Sequence, residues 1–151
     1  EAIALVFSLY GAFGFLGVVI ATQIVDTWGP FRTSVLFTGL LLAGITGWAL
    51  SAGIYPLMAV SVAIWGLGFA STNSMQQVRL VAAAPSLASA SVSLNTSVLY
   101  VGQAVGSAIG GALYAHGLLH EAGFVAMAFV AAAVVTVVFL TRPTSAAAPA
   151  K

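Results

Sequence analysis

Charge is the scarcest property of this chain, and its placement limits the fold more than any motif does. Four basic and three acidic residues serve 151 positions, at Glu1, Asp26, Arg32, Arg79, Glu121, Arg142 and Lys151. The uncharged runs between them have the lengths of one or two bilayer crossings of about 20 residues each. With 61% hydrophobic residues and a mean hydropathy of +1.11, the chain has too little polar surface to coat a water-soluble globule. The lipid bilayer is therefore its first expected partner. A net charge of +1 without a basic cluster gives no footprint for a phosphate backbone, so nucleic acid is excluded as a partner. The absence of cysteine removes disulfides, thiolate metal sites and thiol nucleophiles.

Only helices and closed barrels satisfy every backbone polar group in hydrocarbon, and no ten-residue alternation suggests a barrel. The expected fold class is an all-α polytopic membrane protein of about five transmembrane helices. The spans fall at residues 3–25, 33–53, 56–78, 87–115 and 122–140, within a helical bundle over 1–141. Gly29-Pro30, Gly53 with Pro56, "AAAPS" and "HGLLHE" separate them, each a helix breaker or start signal. Residues 142–151, "RPTSAAAPAK", read as a disordered tail. Loops rich in Lys and Arg stay on the cytoplasmic side. Five spans put Arg32, Arg79, Arg142 and Lys151 on one face, with the C-terminus cytoplasmic, and Glu1, Tyr55, His116, His120 and Glu121 on the other. The start at Glu1, without a basic region of a signal peptide, suggests a piece of something longer.

The spans differ in what they carry. At 100° per residue the first aligns Tyr10, Gly14, Gly17 and Ala21 in one stripe, and the fourth aligns Asn95, Gly102 and Gly106, with Gly110 close by. Gly14, Gly17, Gly102, Gly106 and Gly110 are expected helix-packing positions, because small residues let backbones approach where lipid supplies no hydrophobic drive. Asn73, Gln76 and Gln77 in the third span, and Asn95 and Gln103 in the fourth, place amides at membrane depth. These either bond to neighbouring helices or line a wet pathway that a substrate can use. The second and fifth spans, "SVLFTGLLLAGITGWAL" and "GFVAMAFVAAAVVTVVFL", carry no amide or charge and are expected at the periphery. His116 and His120 have the spacing of paired ligands on a helix, but Gly117 and a loop position argue against a metal. No cofactor is implied, and without a paired carboxylate or a membrane-embedded acid an enzyme lacks its parts.

Asp26 closes the first span, where a carboxylate meets the negative end of the helix dipole. It needs a partner, and Arg32 across the turn or the start of the fourth helix near Ser86 are the candidates. The stretch "GVVIATQIVDTWGPFRTS" resembles the cytoplasmic loop motif of the major facilitator superfamily: Gly, three residues, Asp, a basic residue, any residue, Gly, then basic residues. Asp26, Gly29 and Arg32 keep its outline, while Thr22, Thr27, Pro30 and Phe31 depart from it. The run "APSLASASVSLNTSVLYVGQAVGSAIGGALYAHG" looks like the loop before the eleventh helix, and that Gly-rich helix itself, in drug and sugar efflux members.

The resemblance covers nearly the whole chain and implies helices eight to twelve of a twelve-helix fold. It implies small-molecule efflux by alternating access in the plasma (inner) membrane, with antiport against protons one form of it. The missing N-terminal half would be a further partner. Asp26, Gly29 and Arg32 become a gate loop, and Asn73, Gln77, Asn95, Tyr100 and Gln103 become candidates for the substrate pathway. Because residues 27–120 hold no carboxylate, a proton-coupling acid is expected in sequence outside this chain. The alternative is an accessory or structural membrane subunit that binds a partner through its glycine face and transports nothing.

Overall fold

A computed structural model describes residues 2–51 and 53–140. Glu1, Arg142, Lys151 and the expected tail lie outside them. The described chain is helical: α1 (Ala2–Leu50), α2 (Tyr55–Ala83), α3 (Ala88–Ala115) and α4 (Ala122–Val135), the last continued by a π-helical turn at Thr136–Leu140. Single 3₁₀ turns at Pro85–Leu87 and Leu119–Glu121 precede α3 and α4. Four helical segments are long and apolar enough to cross a membrane.

The first of these crosses twice. A straight helix of 49 residues would run about 73 Å, more than double the hydrocarbon thickness of about 30 Å. Gly29, at φ 79° and ψ 157°, breaks it, and that backbone region is essentially reserved for glycine. Pro30 follows, where a missing N–H costs nothing at the start of a new helix. Contacts to α2 show that the two legs then run in opposite directions. Along the first leg, Gly14 faces Gly66 and Ala70, and Gly17 faces Leu67 and Ser71, so the numbers rise together. Along the second, Leu41 meets Gly68, Gly44 meets Trp65 and Gly47 meets Ser61, so one rises as the other falls. The legs form a hairpin clasped around α2, and the described residues make five spans from four helices.

Glycine makes this clasp close. A Cβ at Gly17 would lie 2.7 Å from Ser71 Oγ and nearer still to the Leu67 carbonyl oxygen, and one at Gly44 would run into the Trp65 backbone. Aromatic rings tie the same three spans together. Tyr10 meets Trp65 edge-on at 5.6 Å between centroids and Phe69 at 6.1 Å, while Trp48 lies 5.9 Å from Trp65. Below them, Ala21, Phe37 and Met75 form a buried cluster with one residue from each span.

The second span is not peripheral within this chain. It buries Thr33, Ser34, Phe37, Thr38 and Ile45, and its hydroxyls explain how a span without amide or charge does so. Thr33 Oγ1 donates to the Gly29 carbonyl at 3.0 Å and Thr38 Oγ1 to the Ser34 carbonyl at 2.7 Å. A hydroxyl satisfied by its own helix can be buried without a partner on the next one. The fifth span packs on the second, with Gly123 buried against Trp48 and Ala49.

By contrast α3 has no buried residue. It ends in a Schellman motif: Leu118 N–H donates to the Leu113 carbonyl at 2.8 Å and Gly117 N–H to the Tyr114 carbonyl at 3.1 Å. Gly117 supplies the required left-handed φ of 71°. The histidines of this turn go separate ways. His116 Nδ1 lies 2.8 Å from the Ala112 carbonyl oxygen, and His120 Nε2 lies 3.0 Å from Glu121 Oε1.

Candidate functional site

Two polar features share one end of the bundle. The first is the turn at Gly29. Asp26 and Arg32 flank it and both are exposed. They are not paired with each other among the described residues, so Arg32, one of the two candidate partners of Asp26, does not bridge the turn here. The reason is rotational: Thr33 and Ser34 take the inward face of the second leg, fully buried, so Arg32 just before them turns outward.

The basic residue that does reach into the turn is Arg79. Its Nη1 donates to Ser34 Oγ at 3.3 Å and to Gln76 Oε1 at 3.4 Å, and its guanidinium carbon sits 5.6 Å from the centre of the Phe31 ring. That geometry is a cation–π contact with two hydrogen bonds. The C-terminal end of α2 is thereby fastened to the residues that follow the Gly29 break. In the sequence Arg79 stands out only as a charge that marks topology. The Gln76–Arg79 spacing of three was a legible local signal, but Ser34, 45 positions away, had none.

The second feature is a cleft of about 360 Å³ lined by Thr38 and Leu41 of the second leg, Phe69, Thr72, Asn73 and Gln76 of α2, Leu99 of α3, and Ala133, Thr136 and Val137 of the fifth span. The α2 residues follow i, i+3, i+4, i+7 spacing, which is one helix face. Thr72 Oγ1 is shielded from solvent and has no hydrogen-bond partner. Gln76 belongs to both features.

Of the five pathway candidates, only Asn73 lines this cleft. Gln76 is there in place of Gln77, which lies 100° further round α2. Asn95 is half-buried, Gln103 is exposed and Tyr100 is 63% exposed. The glycine stripes also part company. Gly14 and Gly17 are buried against α2, whereas a Cβ at Gly102, Gly106 or Gly110 would meet nothing within 4 Å. Gly106 and Gly110 instead border a shallow apolar groove with Ala122, Val125, Ala126 and Phe129 of α4.

No solved structure matches this chain. The family model described as Major Facilitator Superfamily matches residues 1–151. Together with five apolar spans and a glycine-broken turn between the first two, this places the chain in a family of transporters rather than enzymes. It is an integral membrane protein and belongs to the major facilitator superfamily, whose members move small molecules across membranes.

Proposed function

We propose that the chain supplies helices eight to twelve of a twelve-helix drug or sugar efflux transporter of the plasma (inner) membrane, with its C-terminus cytoplasmic. In this reading the Asp26–Gly29–Arg32 turn is a cytoplasmic gate. One observation carries it: the turn combines a glycine-only backbone with an exposed carboxylate, while Arg79 holds the following residues in place from inside. A carboxylate that makes no ion pair among the described residues is available to a helix end on the opposite half. Two halves rocking around a midplane site would make and break that contact. The shared end of Arg32 and Arg79 supports a cytoplasmic side for this face.

The pathway then draws on Asn73, Gln77, Asn95, Tyr100 and Gln103, none of them charged. A substrate recognised by these groups alone is held by hydrogen bonds and ring contacts. Proton coupling, if this transporter uses it, requires an acid from outside residues 27–120, which contain no carboxylate.

Replacing Asp26 with Asn in the complete protein tests the gate. Transport is expected to fall at unchanged surface level, and equal transport at equal surface level would overturn the assignment. An antibody against "TRPTSAAAPAK" tests the larger reading on native membranes. A product of roughly 40 kDa is expected for two six-helix halves. A product near 15.2 kDa would favour the accessory subunit.

A further inference from the structure

We infer that one polar face of α3 is the wall of a water-filled conduit that follows the helix across the membrane and takes a neutral, hydroxyl-bearing solute. The solute rests on the transporter reading above, while the water contact stands on the helix itself.

At about 100° per residue, α3 sorts its side chains into three faces. Leu94, Val98, Val101 and Val105 share an arc of about 60°, and all are exposed. Ser93, Thr96, Tyr100, Gln103, Ser107 and Tyr114 share an arc of about 80° on the opposite side, and all but the half-buried Thr96 are exposed. Asn95, Gly102 and Gly106 lie on the third face, between them. Tyr100 and Gln103 of the proposed pathway therefore belong to a longer polar row, and Asn95 stands apart from it. From Ser93 to Tyr114 the row runs about 31 Å along the axis, as long as the hydrocarbon core is thick.

A face of a membrane span is covered by lipid, by protein or by water. Lipid is excluded by the hydrogen-bond account. Thr96 Oγ1 donates to the Val92 carbonyl at 3.0 Å, but the side chains of Ser93, Tyr100, Gln103, Ser107 and Tyr114 make no hydrogen bond among the described residues. A serine can turn back to a carbonyl of its own helix, whereas Tyr100, Gln103 and Tyr114 would each carry an unpaired polar group into hydrocarbon. The valine face gives lipid a surface without that cost. Protein is disfavoured by size. Membrane helices close on one another through small side chains, which α3 carries at Gly102 and Gly106 on its third face, while the polar row projects phenols and an amide. Water remains, with a solute that replaces it. No residue of α3 is charged, so the row selects a neutral solute by hydrogen bonds, and the phenol rings offer its apolar parts a surface.

The test places single cysteines in the complete protein, cleared of any cysteine outside this chain, which has none of its own. The probe is 2-hydroxyethyl methanethiosulfonate, a small, neutral, hydroxyl-bearing reagent that needs the thiolate and hence water at the thiol. Applied to both sides of proteoliposomes, it should modify Ser93→Cys and Ser107→Cys at least about tenfold faster than Leu94→Cys and Val105→Cys, because each unit by which hydrocarbon raises a thiol pKa costs tenfold in thiolate. Reaction after denaturation checks that every thiol is present. Tyr100→Cys serves as a further site if a serine variant fails to fold. Drug and sugar transport is measured on the same proteoliposomes. Fast modification of the serine sites without transport would keep the water-filled face and remove the efflux reading. Serine-site thiols as slow as those of the valine face would overturn the conduit whether or not the protein transports, and equally fast modification of both faces would overturn it as well.

Discussion

The first leg and α3 are both small-residue helices of a membrane bundle, yet they meet opposite fates. Gly14 and Gly17 lie so close to α2 that no side chain would fit at Gly17. Gly102, Gly106 and Gly110 have the better small-xxx-small spacing and open space around them. Small residues permit close approach, but whether an approach occurs depends on what the partner offers. The α2 helix offers Gly66, Gly68 and Ser71 where the legs cross it, so two smooth surfaces meet. Across the groove beside Gly106 and Gly110 it is Val125 and Phe129 of α4 that project. The clasp of α2 by two legs is a scaffold, and α3 is the span that scaffold leaves open.

The sharpest way to break this contrast is to add a side chain where the scaffold is tightest. Gly17→Leu must displace the Leu67 carbonyl and the Ser71 hydroxyl, and overpacking of this kind costs about 1–3 kcal/mol or more. The protein should melt markedly lower in detergent and reach the membrane at reduced level. A wild-type melting temperature for Gly17→Leu would show that the first leg is not held against α2 as described.

Next in size is the turn itself. Gly29→Ala forces a Cβ into a backbone region that costs of order 1–3 kcal/mol. Open space around Gly29 means that the penalty is conformational and not steric. Stability should fall by that amount, and Gly29→Ala and Gly29→Ser, neither of them β-branched, should be similarly affected. A variant series in which the loss grew steeply with side-chain volume would instead point to a neighbour on the turn.

Arg79 comes third. Its removal takes away two hydrogen bonds and a ring contact at a partly exposed site, and the Arg79–Ser34 pair should show a coupling of about 0.5–1.5 kcal/mol in a double-mutant cycle. Arg79→Lys should recover little of it, because an ammonium lacks the planar fork that serves Ser34 and Gln76 together. Additive single and double variants would mean that the clasp at the end of α2 contributes nothing to holding the turn.

These three sites also differ in how far they could be read from sequence. The break at Gly29 was legible because glycine followed by proline is a local signal, and the spans were legible because charge in hydrocarbon is costly everywhere. The buried position of the second span was not. Thr33, Ser34 and Thr38 satisfy themselves on their own helix, and in sequence a hydroxyl of that kind looks the same whether it faces protein or lipid. Arg79 was visible only as a charge, since Ser34 lies far away along the chain. Gln76 rather than Gln77 reaches the cleft because one residue is 100° of rotation, finer than span boundaries read from hydropathy can resolve.

The smallest expected effect asks the most informative question about α3. With nothing within 4 Å of a Cβ at Gly106, Gly106→Ala meets no obstacle inside this chain. Alanine is the better helix former by about 1 kcal/mol, though lipid already enforces helix and should shrink that gain. The complete protein carrying Gly106→Ala is therefore expected to melt at or slightly above the wild-type temperature if α3 faces only lipid or an open pathway. A loss of about 1 kcal/mol or more, repeated by Gly102→Ala and Gly110→Ala, would mean that a helix from outside these residues lies against the stripe. In that case the contrast between the first leg and α3 would be one of partner and not of packing, with the glycines of α3 serving a second half as Gly14 and Gly17 serve α2.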